Sequence, residues 1–525
     1  MSATYDIAVV GSGFAGSLLS MIAHRLGHSV ILIEKGVHPR VVIGESSTPL
    51  SNLLLEELAT RYGLPTLRPL AKWGSWQRAY PDVACGLKRG FTFHHHVLGA
   101  PAAPDPERRD QLLVAASPRN EIADTHWYRA DFDHLLVREA EKLGVEYVDQ
   151  FQLHRLTNDS VGVKLEGKRN GAAVELHARF VVDATGPRGF LHRALSLAEL
   201  DLPGYPRTQA LYSHFSGVCK LEQTPYSRVN QTPPFPIDDA AVHHVFDGGW
   251  IWVLQFNNGI TSAGVAATDE LAAKVGFADG ARAWARVLDS IPALQEQFAE
   301  AKTERPFVHM PRMAFRSSAV TGRNWALLPS AAGFVDPLLS TGFPLTLLGV
   351  TRLAEMIEQD WGTPRFDERL RTYAAQTDRE LVATSHLVAG LYANTKNFSV
   401  FISLTMLYFA AASFSEAARR LGKPHLAMSF LLCDDPVLGP AYKRFIERAR
   451  HPLTKDESDQ LSKEIRDAIE PINVAGLDRH ERRNWYPADA DDLMNAAGKF
   501  GASRDEIGKL LRQCGFHLNA DPVRA

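Results

Sequence analysis

The sequence predicts an α/β fold: a parallel-sheet N-terminal part, an antiparallel sheet inserted after it, and a helical C-terminal region. Three observations carry this. The first third alternates short apolar runs with helical patterns, which is the signature of βαβ units. Residues of about 190–320 contain strand-like runs such as Ala241–Phe246 and Trp250–Phe256, with prolines at Thr232–Pro236. From about residue 345 onward the periodicity is helical.

At 525 residues the chain exceeds one simple core. The polar stretch Gln359-Asp360-Trp361-Gly362-Thr363-Pro364 is the predicted boundary, giving residues 1–360 and a helical region 361–525 that caps the substrate side. A net charge of −3 gives no reason to expect nucleic acid or an anionic membrane as partner. The four cysteines, Cys85, Cys219, Cys433 and Cys514, are too far apart for a CxxC pair or a disulfide framework. Tyr5-Asp6-Ile7-Ala8-Val9-Val10 already begins the first strand, so no leader is expected and the cytoplasm is the expected compartment. Leu327 to Val350 is broken by Pro329, Pro337 and Pro344, and Phe398 to Ser415 carries Ser and Thr. Neither is expected to insert stably in a membrane, where about 20 strongly apolar residues are needed.

The first strand runs into Gly11-Ser12-Gly13-Phe14-Ala15-Gly16, a GxGxxG opening a helix. Ser29-Val30-Ile31-Leu32-Ile33-Glu34 is the next strand, with Lys35 after it. This is the Rossmann-like fingerprint. The glycines allow the tight turn, backbone approach to a pyrophosphate and close helix–strand packing. The helix N-terminus stabilises phosphate charge, and Glu34 would accept ribose hydroxyls. Helical spacing over Asp131–Gly144, with Arg129 at its start, predicts a helix stopped by Gly144. Arg129 is read as either an adenosine-side contact or half of a structural salt bridge. Arg179-Phe180-Val181-Val182-Asp183 predicts a buried strand, followed by Ala184-Thr185-Gly186, a second nucleotide-contact pattern. Ala331-Ala332-Gly333-Phe334-Val335-Asp336-Pro337, closing on Ser340-Thr341-Gly342-Phe343, provides small residues for a flat ring. A helix after Gly342 would aim its N–H groups at that ring. Only one such fingerprint is present, so tight docking of NAD(P)H is not expected.

Six segments in order then carry a specific resemblance: Gly11–Gly16, Gly44-Glu45-Ser46-Ser47-Thr48-Pro49, Lys88-Arg89-Gly90-Phe91-Thr92-Phe93, Asp183–Gly186, Trp250-Ile251-Trp252, and Phe334–Pro337 with Ser340–Gly342. Over residues 4–355 the chain resembles the flavin-dependent halogenases, within the wider flavoprotein monooxygenase and geranylgeranyl-reductase-like group. The resemblance implies an FAD-binding domain, FADH2 supplied by a separate flavin reductase, and chloride or bromide held near Thr341 and Gly342. Reduced flavin and dioxygen then yield hypohalous acid, which a lysine uses to halogenate an electron-rich aromatic substrate, free or carrier-bound. Lys88, in K-x-G-x-x-F, matches the lysine segment; Lys72 is its rival. Glu45, Ser46 and Ser47 match a flavin-site motif, and Trp250 and Trp252 match a W-x-W pair associated with suppressing ordinary monooxygenation.

Departures from the family pattern are also legible. Leu254-Gln255 follows W-x-W in place of Ile-Pro, and Pro329-Ser330 replaces a Gly-Asp. Leu339 stands where tryptophan halogenases carry a substrate-deprotonating glutamate, so free tryptophan is not the expected substrate. A hydroxylating monooxygenase, a double-bond reductase and a non-catalytic flavin-binding protein are the other readings. His94-His95-His96 alternates on a strand, with one histidine available as a general base near Lys88 and no companion cluster for a metal.

Overall fold

The computed structural model describes residues 4–101, 105–158, 162–224 and 232–518. Its first sheet is built around Thr4–Val10, which lies parallel to Ala172–Asp183 on one side and to Val30–Ile33 on the other. Trp325–Leu327 extends it beyond Ala172–Asp183, and Glu146–Val148 beyond Val30–Ile33, both in parallel. Ile7 to Val10 and Val30 to Ile33 are buried throughout, as expected of parallel strands covered on both faces. The predicted strand ending at Asp183 is longer than its apolar core, because Ala172–Ala178 also pairs antiparallel with Val163–Arg169.

Two glycines fix the turn that follows the first strand. Gly11 has φ +102°, and a Cβ there would lie 2.7 Å from the Ala184 carbonyl carbon. A Cβ on Gly16 would come within 1.9 Å of the Gly11 oxygen, so the helix Phe14–Arg25 packs at this distance only with glycine. The helix Arg129–Leu143 ends at left-handed Gly144, as its spacing predicts.

The second sheet has the order Lys302–Thr303, Thr208–Ser216, Ile260–Thr268, Gly249–Gln255, Ala241–Phe246, Gly90–His96, Gln111–Ala115, Trp485–Tyr486. The expected insertion of about 190–320 therefore needs correcting in part. Two strands of this sheet come from residues 90–115 and one from the C-terminal region, through pairings between distant segments that periodicity cannot reveal.

The C-terminal region is helical: Pro364–Ala393, Phe398–Arg420, Leu438–Ala449 and Lys455–Ile469 are its longer members. Residues 488–512 do not form one helix. Gly501 takes a left-handed conformation and Ser503 caps a new helix, Arg504–Gln513, with a Ser503–Glu506 capping box. The helix Gly342–Asp360 ends at the expected boundary, yet one hydrophobic core holds Ile7 and Leu511 alike. Among the described residues one helix, Phe398–Arg420, is long and apolar enough to cross a membrane; 83% of its most apolar window is buried inside the protein.

Candidate active site

A cavity of about 800 Å³ opens along the C-terminal ends of the parallel strands, where ligands of such sheets bind. Gly11, Gly13, Phe14 and Ala15 line one end with Glu34 and the exposed Lys35. Gly16 does not reach it; its part is the helix–strand contact. Glu34 accepts from Ser12 N and Oγ, Gly36 N and Arg40. Burial alone would raise its carboxyl, but Arg40 and these hydrogen bonds hold it below the usual range. Arg129 makes the expected structural salt bridge, forking onto Asp133 with 2.8 Å contacts from Nε and Nη2; it also donates to the Gly44 oxygen and lines the cavity.

At the other end, Ser340, Gly342 and Phe343 present the start of the helix Gly342–Asp360. Asp336 lines this end, 2% exposed, accepting from Tyr392 Oη at 2.9 Å, Tyr205 Oη at 3.0 Å and Leu338 N. Burial pushes its carboxyl up to about 6 against those three donors. Trp250 and Trp252 share one strand face and both line the cavity, with ring centroids 5.7 Å apart. Trp250 Nε1 donates to Tyr392 Oη and Trp252 Nε1 to Ser262 Oγ. Glu45 and Ser46 line the middle; Glu45 Oε1 meets His214 Nε2 at 2.9 Å in a fully buried contact.

Besides Gly16, three expected cofactor or halide residues lie behind this lining. Asp183 is fully buried and accepts from Thr185 N, Thr185 Oγ1 and Leu191 N, so it shapes the loop while Ala184, Thr185 and Gly186 reach the cavity. Ser47 turns its hydroxyl to the Thr125 oxygen at 2.6 Å. Thr341 is buried beneath the helix start, between Ser340 and Gly342.

Lys88 is fully buried in a wall between this cavity and a second one of about 200 Å³. Its Nζ donates to Ser46 Oγ at 2.8 Å and to the Ser47 oxygen at 2.6 Å, and sits 3.8 Å from the centroid of Phe91. Ser46 and Phe343 face the large cavity; Thr48, Pro49, Phe91 and Pro344 face the small one. Burial pulls the ammonium down, and Asp124, its cross-strand partner, opposes that shift. Lys72 lines the far part of the small cavity and donates to the Cys514 oxygen. His94 and His96 do not approach Lys88. Both belong to the sheet face of His244, opposite Phe91, with His96 Nε2 2.9 Å from His244 Nδ1. Burial brings His94 down to about 4. Among the described residues no group of three or more His, Cys, Asp or Glu is arranged for a metal ion.

The sequence matches the tryptophan halogenase family over residues 117–401, more than half of the chain, and the FAD binding domain family over residues 6–209. The chain belongs to the flavin-dependent halogenase family. It is 31% identical over 376 residues to tetracycline 7-halogenase of Kitasatospora aureofaciens, covering 69% of this chain and 66% of that protein. It is 29% identical over 383 residues to monodechloroaminopyrrolnitrin halogenase PrnC of Pseudomonas fluorescens, covering 70% and 65%. The matches thus span just under two thirds of these relatives' own lengths. In fold it is similar to halogenase PltM in complex with phloroglucinol and FAD, with a TM-score of 0.79 and 24% identity over 91% of this chain and 99% of that one.

The cofactor of the family is FAD, and the large cavity fits it. A Cβ built on Gly186 or Gly342 meets nothing within 4 Å, so both backbones face open space along the lining. Glu45 Oε2 and Arg40 Nε are buried there without a protein hydrogen-bond partner. The motifs did not reveal Asn52, Asp124, His214, Tyr205 or Tyr392. Asp124 and His214 carry no local signature; the strand pairing Lys88↔Asp124 and the fold alone bring them to the site.

Proposed function

We propose that this chain is an FADH2- and dioxygen-dependent halogenase acting on a small electron-rich aromatic ring, with Lys88 as the catalytic lysine. The observation that carries the reading is the position of Lys88, buried in the wall between a cofactor-sized cavity and a small one. FAD, bound in the large cavity and reduced, supplies with dioxygen the oxidising equivalent that turns halide into hypohalous acid. The chain's own residues do the rest. The halide would sit at the Gly342 backbone, at a helix start whose N–H groups favour an anion, with Thr341 buried just behind it. Trp250, Trp252 and Phe343 exclude water from that end. Lys88 Nζ, steered by Ser46 and the Ser47 oxygen, donates a proton to the hypohalous oxygen and directs the halogen into the small cavity.

The small cavity's 200 Å³ is below the usual range for drug-sized ligands, which favours a single ring. Tyr408, Phe409 and Phe91 offer aromatic faces to it, and residues 361–525 supply much of its lining, consistent with a capping role. A separate flavin reductase as the source of FADH2 fits the single dinucleotide fingerprint, and a carrier-bound ring is compatible with the chemistry.

The test is to reduce the FAD-loaded protein anaerobically and mix it with oxygen, bromide and a panel of phenols, pyrroles and indoles. Mass spectrometry is expected to give a bromine isotope doublet that Lys88→Ala lowers at least about 100-fold while flavin reoxidation persists. A hydroxylated ring in the wild type would make the chain a monooxygenase. Reduction of a double bond without oxygen would make it a reductase, and slow reoxidation with no product a flavin carrier.

A further inference from the structure

Leu339 stands where the resemblance to tryptophan halogenases would place a substrate-deprotonating glutamate. Another carboxylate occupies the small cavity. Asp124 lines it, on the strand Asp124–Trp127 directly opposite Lys88 on Cys85–Lys88. It is 7% exposed, and its Oδ1 accepts from Asn52 Nδ2 at 2.8 Å. Lys88 directs its hydrogen bonds to Ser46 and Ser47, which leaves Asp124 facing the cavity. Two other carboxylates line this cavity: Glu416 is bound to Arg420 at 2.7 Å, and Asp489 accepts from Asp491 N as the cap of the helix Ala490–Asn495.

We propose that Asp124 is the general base that removes the ring proton of the substrate, working with Lys88 as a proton-exchanging pair. This rests on the halogenase reading above. In the step, the ring's π pair bonds to the halogen of hypohalous acid and the O–X bond breaks, its pair staying on oxygen. Lys88 ammonium protonates that oxygen, giving water. The ring C–H proton passes to the Asp124 carboxylate, and the C–H pair restores aromaticity. The Asp124 carboxylic acid then returns its proton to the Lys88 amine through the water just formed, since Lys88 Nζ bonds Ser46 and Ser47 rather than Asp124, so that ArH and HOX become ArX and H2O with both side chains reset.

Burial makes Asp124 more basic than an ordinary carboxylate, and the nearby Glu416 charge adds to this against Asn52, Lys88 and Arg420. Burial shifts Lys88 the opposite way, which brings the two proton affinities together and makes the return transfer cheap. The groups facing Asp124 are Lys88 on its partner strand, Asn52 on Pro49–Arg61, and Tyr408, Glu416 and Arg420 on Phe398–Arg420, with Lys72 farther along the cavity.

Asp124→Asn, Asp124→Glu and wild type, each FAD-loaded, are compared with ring-protonated and ring-deuterated phenol plus bromide. Asp124→Asn is expected to keep flavin reoxidation and the bromination of a diffusible 1,3-diketone trap while losing at least about 100-fold in phenol bromination. Its residual reaction should show a primary deuterium isotope effect absent from the wild type, and should lack the wild type's acidic limb in the pH profile. Asp124→Glu should recover part of the rate. Phenol bromination within a few-fold of wild type and no isotope effect would overturn the proposal. Difference infrared spectra of the resting FAD-loaded protein give a readout apart from turnover. A carboxyl band titrating above the usual range, lost in Asp124→Asn and shifted in Lys88→Met, is expected; its absence overturns the Asp124 assignment. A wild type that brominates neither phenol nor trap, with that band present, overturns the halogenase reading instead.

Discussion

At the scale of single residues, burial decides which charged groups are available for chemistry. Asp336 is held by two tyrosine hydroxyls and a backbone N–H, and its carboxyl still rises to about 6, because none of its donors carries a full charge. A carboxyl raised in the folded state binds its proton more tightly there than in the unfolded chain. Its stabilising contribution is therefore complete at pH below about 4 and is lost as pH climbs through about 6. The loss is on the order of 3 kcal/mol. Asp336→Asn is neutral throughout. The drop in thermal midpoint between pH 5 and pH 8 is expected to be smaller in Asp336→Asn than in wild type, as read by differential scanning fluorimetry. Equal drops in the two proteins would show that Asp336 is not titrating in that window. Asp183, equally buried, serves the backbone instead, since its carboxylate organises the turn from which Thr185 and Gly186 reach the cavity.

Among the elements, the first βαβ unit is the one whose chemistry was most legible. Gly11 and Gly16 announce a turn that only glycine can make, since the requirement is local and steric. Gly16→Ala is expected to push the helix Phe14–Arg25 away from the Gly11 oxygen, costing about 1–3 kcal/mol and weakening FAD retention by about tenfold or more. Flavin fluorescence during dialysis measures this, and unchanged retention would mean the helix accommodates the methyl. The strand pair Cys85–Lys88 and Asp124–Trp127 is the opposite case. Lys88 stands in a motif, but Asp124 stands in none, because cross-strand register between distant segments leaves no periodic trace. The same holds for the second sheet, whose Gly90–His96 strand pairs parallel with Ala241–Phe246 and puts Phe91 and His94 on opposite faces.

For the molecule as a whole, the break after Asp360 does not separate two cores. Helix Pro364–Ala393 packs on Gly342–Asp360, and Phe398–Arg420 packs on Pro49–Arg61, joined at the surface by Arg419 to Glu57. Tyr373 Oη donates to the Leu327 oxygen, and Tyr392 reaches Asp336 within the cofactor cavity. A chain ending at Asp360 would expose the apolar surface these helices cover, so it is expected to aggregate and to retain no FAD. Size-exclusion chromatography with flavin absorbance checks this; a monomeric yellow fragment would show that the N-terminal part folds alone.

The family, the cofactor fold and the order of its motifs are legible along the chain, because each rests on contacts between residues close in sequence: a glycine turn, a helix stop, an alternating W-x-W. Tertiary structure alone decided which of those residues reach the cavity and which support it from behind. It also decided that the helical region shares the core, and that Asp124 faces the small cavity opposite Lys88. Those outcomes depend on register and packing between segments far apart in the chain. There burial and the charge of a distant neighbour, invisible to any local pattern, set what a carboxylate or an ammonium can do.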